Sequence, residues 1–271
     1  MKKSLLLLAL IVPALANDTA INSGGHGPAP MGEFDGEESV IRMVSEKIEI
    51  RMGKSESEVT CRFTFRSTKK AGDAKQVVGF PDLLEMESDT GTISKLETFV
   101  DGQKVETRKV RGWFGTSDWG TPKSGLGEPP ATLPKDEIQY ADFFVADVTF
   151  PPDKDVIVER RYTADNGGDV TGSTGFSYTT HTGAVWKDTI GEAEFHVTLL
   201  DGLKVDDLAF EDGKQKLRPR QQSAWCSPNL AEWKVVSPTE LKMTWKDFEP
   251  AVHKTRRGIF LATWSRNTAQ E

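Results

Sequence analysis

Residues 48–65 read IEIRMGKSESEVTCRFTF. Ile48, Ile50 and Met52 alternate with charged neighbours, and Val59, Cys61, Phe63 and Phe65 alternate with Thr60, Arg62 and Thr64. Successive side chains of an extended chain point to opposite faces, so a period of two sends one face to a core and the other to water. GKSES between the two runs supplies the small and polar residues of a tight turn. The stretch therefore predicts two half-buried strands paired as a hairpin.

The same rhythm runs outward from there. Val77, Val78 and Phe80 form a short apolar run that Pro81 ends. Residues 93–100 lead through Asp101-Gly102 into Lys104–Val110, the spacing of a two-residue hairpin. Phe143–Phe150 and Val156–Tyr162 are joined by PPDKD. Further strand-like runs are Gly175–Thr180, Ala193–Leu200, Lys204–Phe210, Glu232–Val236, Leu241–Trp245 and Ile259–Trp264. Helical periodicity is confined to 135–144 (KDEIQYADFF), where Ile138, Ala141 and Phe144 could share one face for two turns. Many short strands with turn chemistry between them predict an all-β protein, an antiparallel β-sandwich or two stacked sandwich subdomains. The expected division is a first β portion over 40–165 and a second over 166–267, packed on the first.

Residues 1–16 have the form of a secretory signal peptide. Lys2 and Lys3 precede an apolar run from Leu5 to Val12, and Ala14-Leu15-Ala16 is a small-x-small site for cleavage before Asn17. This predicts a periplasmic or secreted protein. No later stretch reaches the ~20 apolar residues of a membrane-spanning helix. Residues 17–39, rich in Gly, Pro and acids, read as a flexible lead. The sequence carries a net charge of −7, and removal of Lys2 and Lys3 makes it more acidic still. Such a chain repels phosphate backbones, which argues against nucleic acid as a partner.

Two cysteines, Cys61 and Cys226, could form a disulfide in an exported protein. Cys61 could equally be a small buried apolar residue, given its place in the alternation. Neither lies in a C-x-x-C pair, so redox catalysis is not indicated.

The 111–134 segment (RGWFGTSDWGTPKSGLGEPPATLP) breaks the alternation with Gly, Pro and Ser while carrying Trp113, Phe114 and Trp119. Rings on a long loop offer rigid contact area for a glycan or an envelope protein, which makes these three the candidate binding residues. The competing reading folds the loop back so that its rings cap one end of the sandwich. Asp165-Asn166-Gly167-Gly168-Asp169 could offer oxygens to calcium, but Asn-Gly in a hairpin turn accounts for it without a metal. The histidines His26, His181, His196 and His253 show no zinc-binding spacing, and no metal or other cofactor is expected. No G-x-S-x-G elbow is present, and Ser177 and His181 are too far apart on an extended strand to hydrogen bond. The basic stretches Lys214–Arg220 and Lys254–Arg257 read as solvated loop faces.

Several segments together resemble a family of exported bacterial proteins known as domain of unknown function four-four-two-four. They are the EVTCRFTFRS strand, VVGFP ending at Pro81, and the hairpin FFVADVTFPPDKDVIVERRYTA. The segment from Tyr178 to Trp186 within SYTTHTGAVW, and the closing LKMTWKDFEP, complete the set. Their order is also distantly similar to the sandwich module of the inter-alpha-trypsin inhibitor proteins. The resemblance spans about residues 40–250 and implies a sandwich fold and an export route; it transfers no catalytic residues. The expected function is a non-catalytic binding or interaction module. The alternatives are a structural or assembly component of the envelope, and a glycan-acting hydrolase whose carboxylates converge from separate strands.

Overall fold

A computed structural model describes residues 24–26, 29–31, 40–82, 93–115, 123–129, 131–132, 135, 138–168, 174–208, 232–250 and 258–263. Its regular elements are almost entirely strands. In chain order these are β1 (Gly24–His26), β2 (Ala29–Met31), β3 (Ile41–Met52), β4 (Glu56–Ser67), β5 (Ala74–Asp82) and β6 (Ile93–Val100). Next come β7 (Gln103–Val105), β8 (Arg108–Gly115), β9 (Lys123–Leu126), β10 (Ile138–Phe150), β11 (Asp155–Asp165) and β12 (Gly167–Gly168). The last are β13 (Thr174–Thr179), β14 (Ile190–Leu199), β15 (Lys234–Ser237), β16 (Glu240–Phe248) and β17 (Gly258–Ala262). Short 3-10 turns occupy His181–Val185 and Val205–Asp207.

The largest sheet has eight strands in the order β15-β16-β14-β3-β4-β11-β6-β7. A second sheet runs β2-β5-β10-β8-β9, and a smaller one is built around β13, flanked by β1, β12 and β17. Strand pairings are antiparallel except for β1 with β13 and β3 with β14.

The period-two pattern read from residues 48–65 is the pattern of burial. Ile48, Ile50, Met52, Val59, Cys61, Phe63 and Phe65 are buried, and the residues between them face outward. One apolar cluster contains this inner face together with Val78 and Phe80 of β5, Val148 and Phe150 of β10, Phe176 and Tyr178 of β13, and Ile259 and Leu261 of β17. The eight-stranded sheet is thus one layer, and the two smaller sheets form the other. Aromatic pairs bridge the layers: Phe65 to Phe150 at 5.8 Å, Phe80 to Tyr162 at 5.2 Å, and Tyr178 to Phe195 at 6.3 Å between ring centroids. Each such pair adds roughly 0.5–1.5 kcal/mol beyond the area it buries.

Three sequence expectations change. The helical reading of 135–144 gives way to strand β10, which begins at Ile138. Ala141, Phe143 and Val145 of β10 face a second small cluster with Val77, Val110 and Val185, while Val148 and Phe150 face the main core. A strand covered on both faces loses its alternation, and its apolar residues then imitate a helical spacing. The 111–134 segment is not irregular throughout, since β8 continues to Gly115 and β9 returns beside it. Lys204–Phe210, expected as a strand, has Val205–Asp207 in a 3-10 turn.

The eight-stranded sheet also crosses the division expected at residue 165. β3, β4, β6, β7 and β11 lie before it, β14, β15 and β16 after it, and the parallel β3–β14 ladder joins them. At this seam β3 carries a bulge between Met43 and Ser45, and Gly191 of β14 lies against the Val44 carbonyl. A Cβ on Gly191 would stand 2.5 Å from that oxygen, which belongs to the backbone and cannot swing away. Gly191→Ala should therefore destabilise the fold by about 1–3 kcal/mol, read as a fall in Tm of roughly 2–4 °C per kcal/mol in thermal unfolding.

Candidate functional site

Of the aromatic residues picked out by sequence, the structure describes the surroundings of Trp113. Trp113 lies on β8 and is only 6% exposed. Its indole rests on Gly125 of β9, where a Cβ would come within 2.9 Å of it, so the glycine is what gives the ring its seat. Trp113 is therefore a packing residue, while its cross-strand partner Tyr140 is 48% exposed. Phe114 follows on β8 opposite Gln139 and Ser124. Trp119 lies outside the described residues.

Other sequence candidates resolve into structural roles. The Asn166 side chain accepts a hydrogen bond from Ser57 Oγ at 2.7 Å and donates one to the Gly53 carbonyl at 2.7 Å. It ties the end of β11 to the β3–β4 turn, a structural role for this amide; Asp169 lies outside the described residues. Among the described residues no cluster of three or more His, Cys, Asp or Glu side chains could hold a metal. Cys61 is a buried free thiol. Cys226, His253 and both basic stretches lie outside the described residues. His26 is on β1 and His181 opens a 3-10 turn.

The core also holds a polar cluster that none of the sequence expectations included. Glu46 falls on the inward parity of β3, two residues before Ile48, and is 2% exposed. Arg160 falls on the inward parity of β11 between Val158 and Tyr162 and is fully buried. Cross-strand register sets Cys61 directly beside Arg160, and Tyr178 arrives from the opposite layer. Arg160 donates to Thr98 Oγ1 at 2.6 Å and to the Val78 carbonyl at 2.9 Å. Glu46 Oε1 and Arg160 Nε have no hydrogen-bond partner among the described residues, and the hydroxyls of Tyr162 and Tyr178 lie against the Cys61 thiol.

Burial raises the Glu46 carboxyl to about 8 and lowers the Arg160 guanidinium to about 9. Burial also pushes the Cys61 thiol up, against the weaker pull of the Tyr178 hydroxyl beside it. A thiol held protonated this way is a poor nucleophile, and Cys61, Glu46 and Arg160 together form a polar patch inside the core. The signal was available: a charged residue on the apolar parity of a strand is a violation of pattern, and both Glu46 and Arg160 are such violations.

The outer face of the eight-stranded sheet is charged and laced by ion pairs. Lys47 meets Glu49 at 2.9 Å, Arg51 meets Glu58 at 2.7 Å, Arg66 meets Asp155 at 2.6 Å, and Arg161 meets Glu159 at 2.6 Å. Exposed pairs of this kind contribute roughly 0–1 kcal/mol each, so they serve solubility more than stability. Across β14, β3, β4, β11 and β6 this face sinks into a groove of about 570 Å³. Its outward side chains are His196 and Thr198 of β14, Glu49 and Arg51 of β3, Glu58 and Thr60 of β4, Arg161 and Thr163 of β11, and Lys95 of β6. Register places His196, Glu49, Thr60, Arg161 and Glu97 in one cross-strand row. His196 Nε2 is buried within this row and has no hydrogen-bond partner among the described residues. The Arg161 guanidinium stacks on Phe99 at 4.5 Å as well as pairing with Glu159. A groove of this size, open to solvent and lined by hydroxyls and charges, can hold a small polar solute.

The fold is similar to that of a candidate nutrient binding protein of Legionella pneumophila, with a TM-score of 0.61 and 19% identity over 91% of this chain and 72% of that one. Weaker similarity extends to an M1 zinc metallopeptidase of Deinococcus radiodurans (TM-score 0.37, 7% identity, 83% of this chain and 42% of that one). It extends also to leukotriene A4 hydrolase of Saccharomyces cerevisiae (TM-score 0.40, 8% identity, 86% and 31%). Scores this low carry nothing for either enzyme. No protein-family model and no curated protein matches the chain.

Two outcomes follow from these placements. Trp113→Ala should cost about 3–5 kcal/mol in urea unfolding, the cost of a buried ring. For Glu46, the folded chain between its ordinary 4.5 and about 8 keeps a proton that the unfolded chain has lost, so this group's contribution to stability declines as pH rises through that window. Glu46→Gln cannot ionise, and denaturant midpoints at pH 5 and pH 8 should lie closer together in the variant than in the wild type.

Proposed function

We propose that this chain is a non-catalytic binding module, exported to the periplasm, that takes a small polar solute in the groove across the outer face of its eight-stranded sheet. The observation that carries the reading is the groove itself. It is a concavity of about 570 Å³ on an otherwise solvated sheet, with His196 Nε2 buried and unpartnered in its floor. Folded proteins satisfy nearly all such buried donors and acceptors, and a bound solute or ordered water is one way to do so. The shared fold with a candidate nutrient binding protein accords with this, although fold by itself does not select a function. The two groove carboxylates, Glu49 and Glu58, are each engaged by a cation, which favours binding over acid–base chemistry there.

An assembly role has one observation of its own. β15 closes one end of the sheet, with Val235 and Val236 50% and 46% exposed, and edge strands of that kind can pair with another chain. The strand is only four residues long and begins with Lys234, a composition that discourages pairing.

Isothermal titration of the purified chain against a panel of small polar solutes tests the binding reading. At least one should bind saturably, and Thr60→Trp, which fills the middle of the groove, should abolish that binding while leaving the β-sheet circular-dichroism spectrum unchanged. Binding that survives this substitution would place the site elsewhere. The export reading is checked by amino-terminal sequencing of the periplasmic protein, which should begin at Asn17.

A further inference from the structure

Among the described residues, six other than glycine have a positive φ: Lys95, Asp101, Asp153, Asp188, Asp201 and Asp247. Five are aspartates, whose short polar side chains tolerate the left-handed region. Lys95, with φ of 53°, has no such excuse, and it sits inside a strand. The cause is a bulge. Arg161 of β11 pairs with Glu97 and Thr163 with Ser94, so Lys95 and Leu96 together stand opposite Tyr162 alone. In bulges of this geometry the left-handed position ordinarily belongs to glycine. Here a lysine occupies it, and it lines the groove.

The charges around it make that placement consequential. Of the three cations lining the groove, Arg51 is paired with Glu58 and Arg161 with Glu159. Lys95 has no ion-pair partner among the described residues, and the acids Glu49 and Glu58 are already neutralised by Lys47 and Arg51. The groove therefore presents one uncommitted positive charge at its β6 end. His196 lies on β14 at the other end, four strand spacings away, or about 19 Å across the sheet.

We propose, resting on the binding reading above, that the groove selects an elongated solute with a terminal oxyanion, carboxylate or phosphate, and that the bulge holds Lys95 in its strained conformation to anchor that group. The hydroxyls of Thr60 and Thr163 and the imidazole of His196 then serve the uncharged remainder of the ligand. Strain kept at a ligand-contacting residue, where glycine would relieve it, is the mark of a side chain retained for its chemistry.

The test pairs probes that differ only in the terminal group: triglycine against triglycinamide, and glucose 6-phosphate against glucose, each titrated calorimetrically into the full chain. In at least one pair the anionic member should bind ten-fold or more tighter, and which pair does so tells carboxylate from phosphate. Lys95→Gly should erase that preference while leaving Tm unchanged or raised, because glycine is at ease in this conformation. Lys95→Arg should retain the preference. Equal affinity within both pairs, or a preference that persists in Lys95→Gly, overturns the oxyanion assignment and leaves the binding module standing. Failure of all four probes to bind the wild-type chain overturns the assignment together with the groove as a solute site.

Discussion

The eight-stranded sheet has one continuous apolar face, and everything else in the molecule follows from the need to cover it. No single smaller element could do so. β5 and β10 cover one part and β13 and β17 another, and the rings of Phe65, Phe80 and Tyr178 interlock with partners across the gap. Burial of this kind is non-directional and scales with area, so it fixes which face is inside without dictating much about the other. The outer face is left free to vary. It carries ion pairs that stabilise little, and within them a groove whose outward-facing side chains lie outside the core.

The places where residues depart from the pattern fall on both sides of that sheet. Inside, Glu46 and Arg160 occupy positions that an apolar side chain would fill more cheaply, and burial shifts each toward its neutral form. Arg160 recovers part of the cost by donating to Thr98 and Val78, which joins β11 to its neighbour β6 and to β5 of the opposite layer. That link between layers is directional in a way that packed rings are not. Outside, Lys95 occupies a backbone conformation suited to glycine. One departure lends the interior specificity of alignment; the other presents a charge to solvent. Consistency elsewhere in the chain is what makes these positions stand out.

How much of this was legible beforehand depended on how many faces of a strand were buried. β3, β4 and β11 bury one face, and their alternation is plain in Ile48–Met52, Val59–Phe65 and Val156–Tyr162. β10 is covered on both faces, so Ile138, Ala141 and Phe144 imitated a helix. Trp113 looked like a contact residue because Gly and Ser surround it; one of those glycines, Gly125, turned out to be the floor on which the indole lies. The groove was not legible at all. His196, Thr60 and Lys95 are far apart in the chain, and only the register of five strands sets them along one depression.

By itself the amino-acid order determined that this chain would be layered β-structure, and which residues of its one-sided strands would face inward, because a period of two is a local property of the extended backbone. Strand order, the parallel seam between β3 and β14, the bulge that turns Lys95 and the groove itself were decided only by the tertiary structure. They arise from hydrogen bonds and packing between segments distant in the chain, and no local spacing encodes which of many compatible strands will become a neighbour.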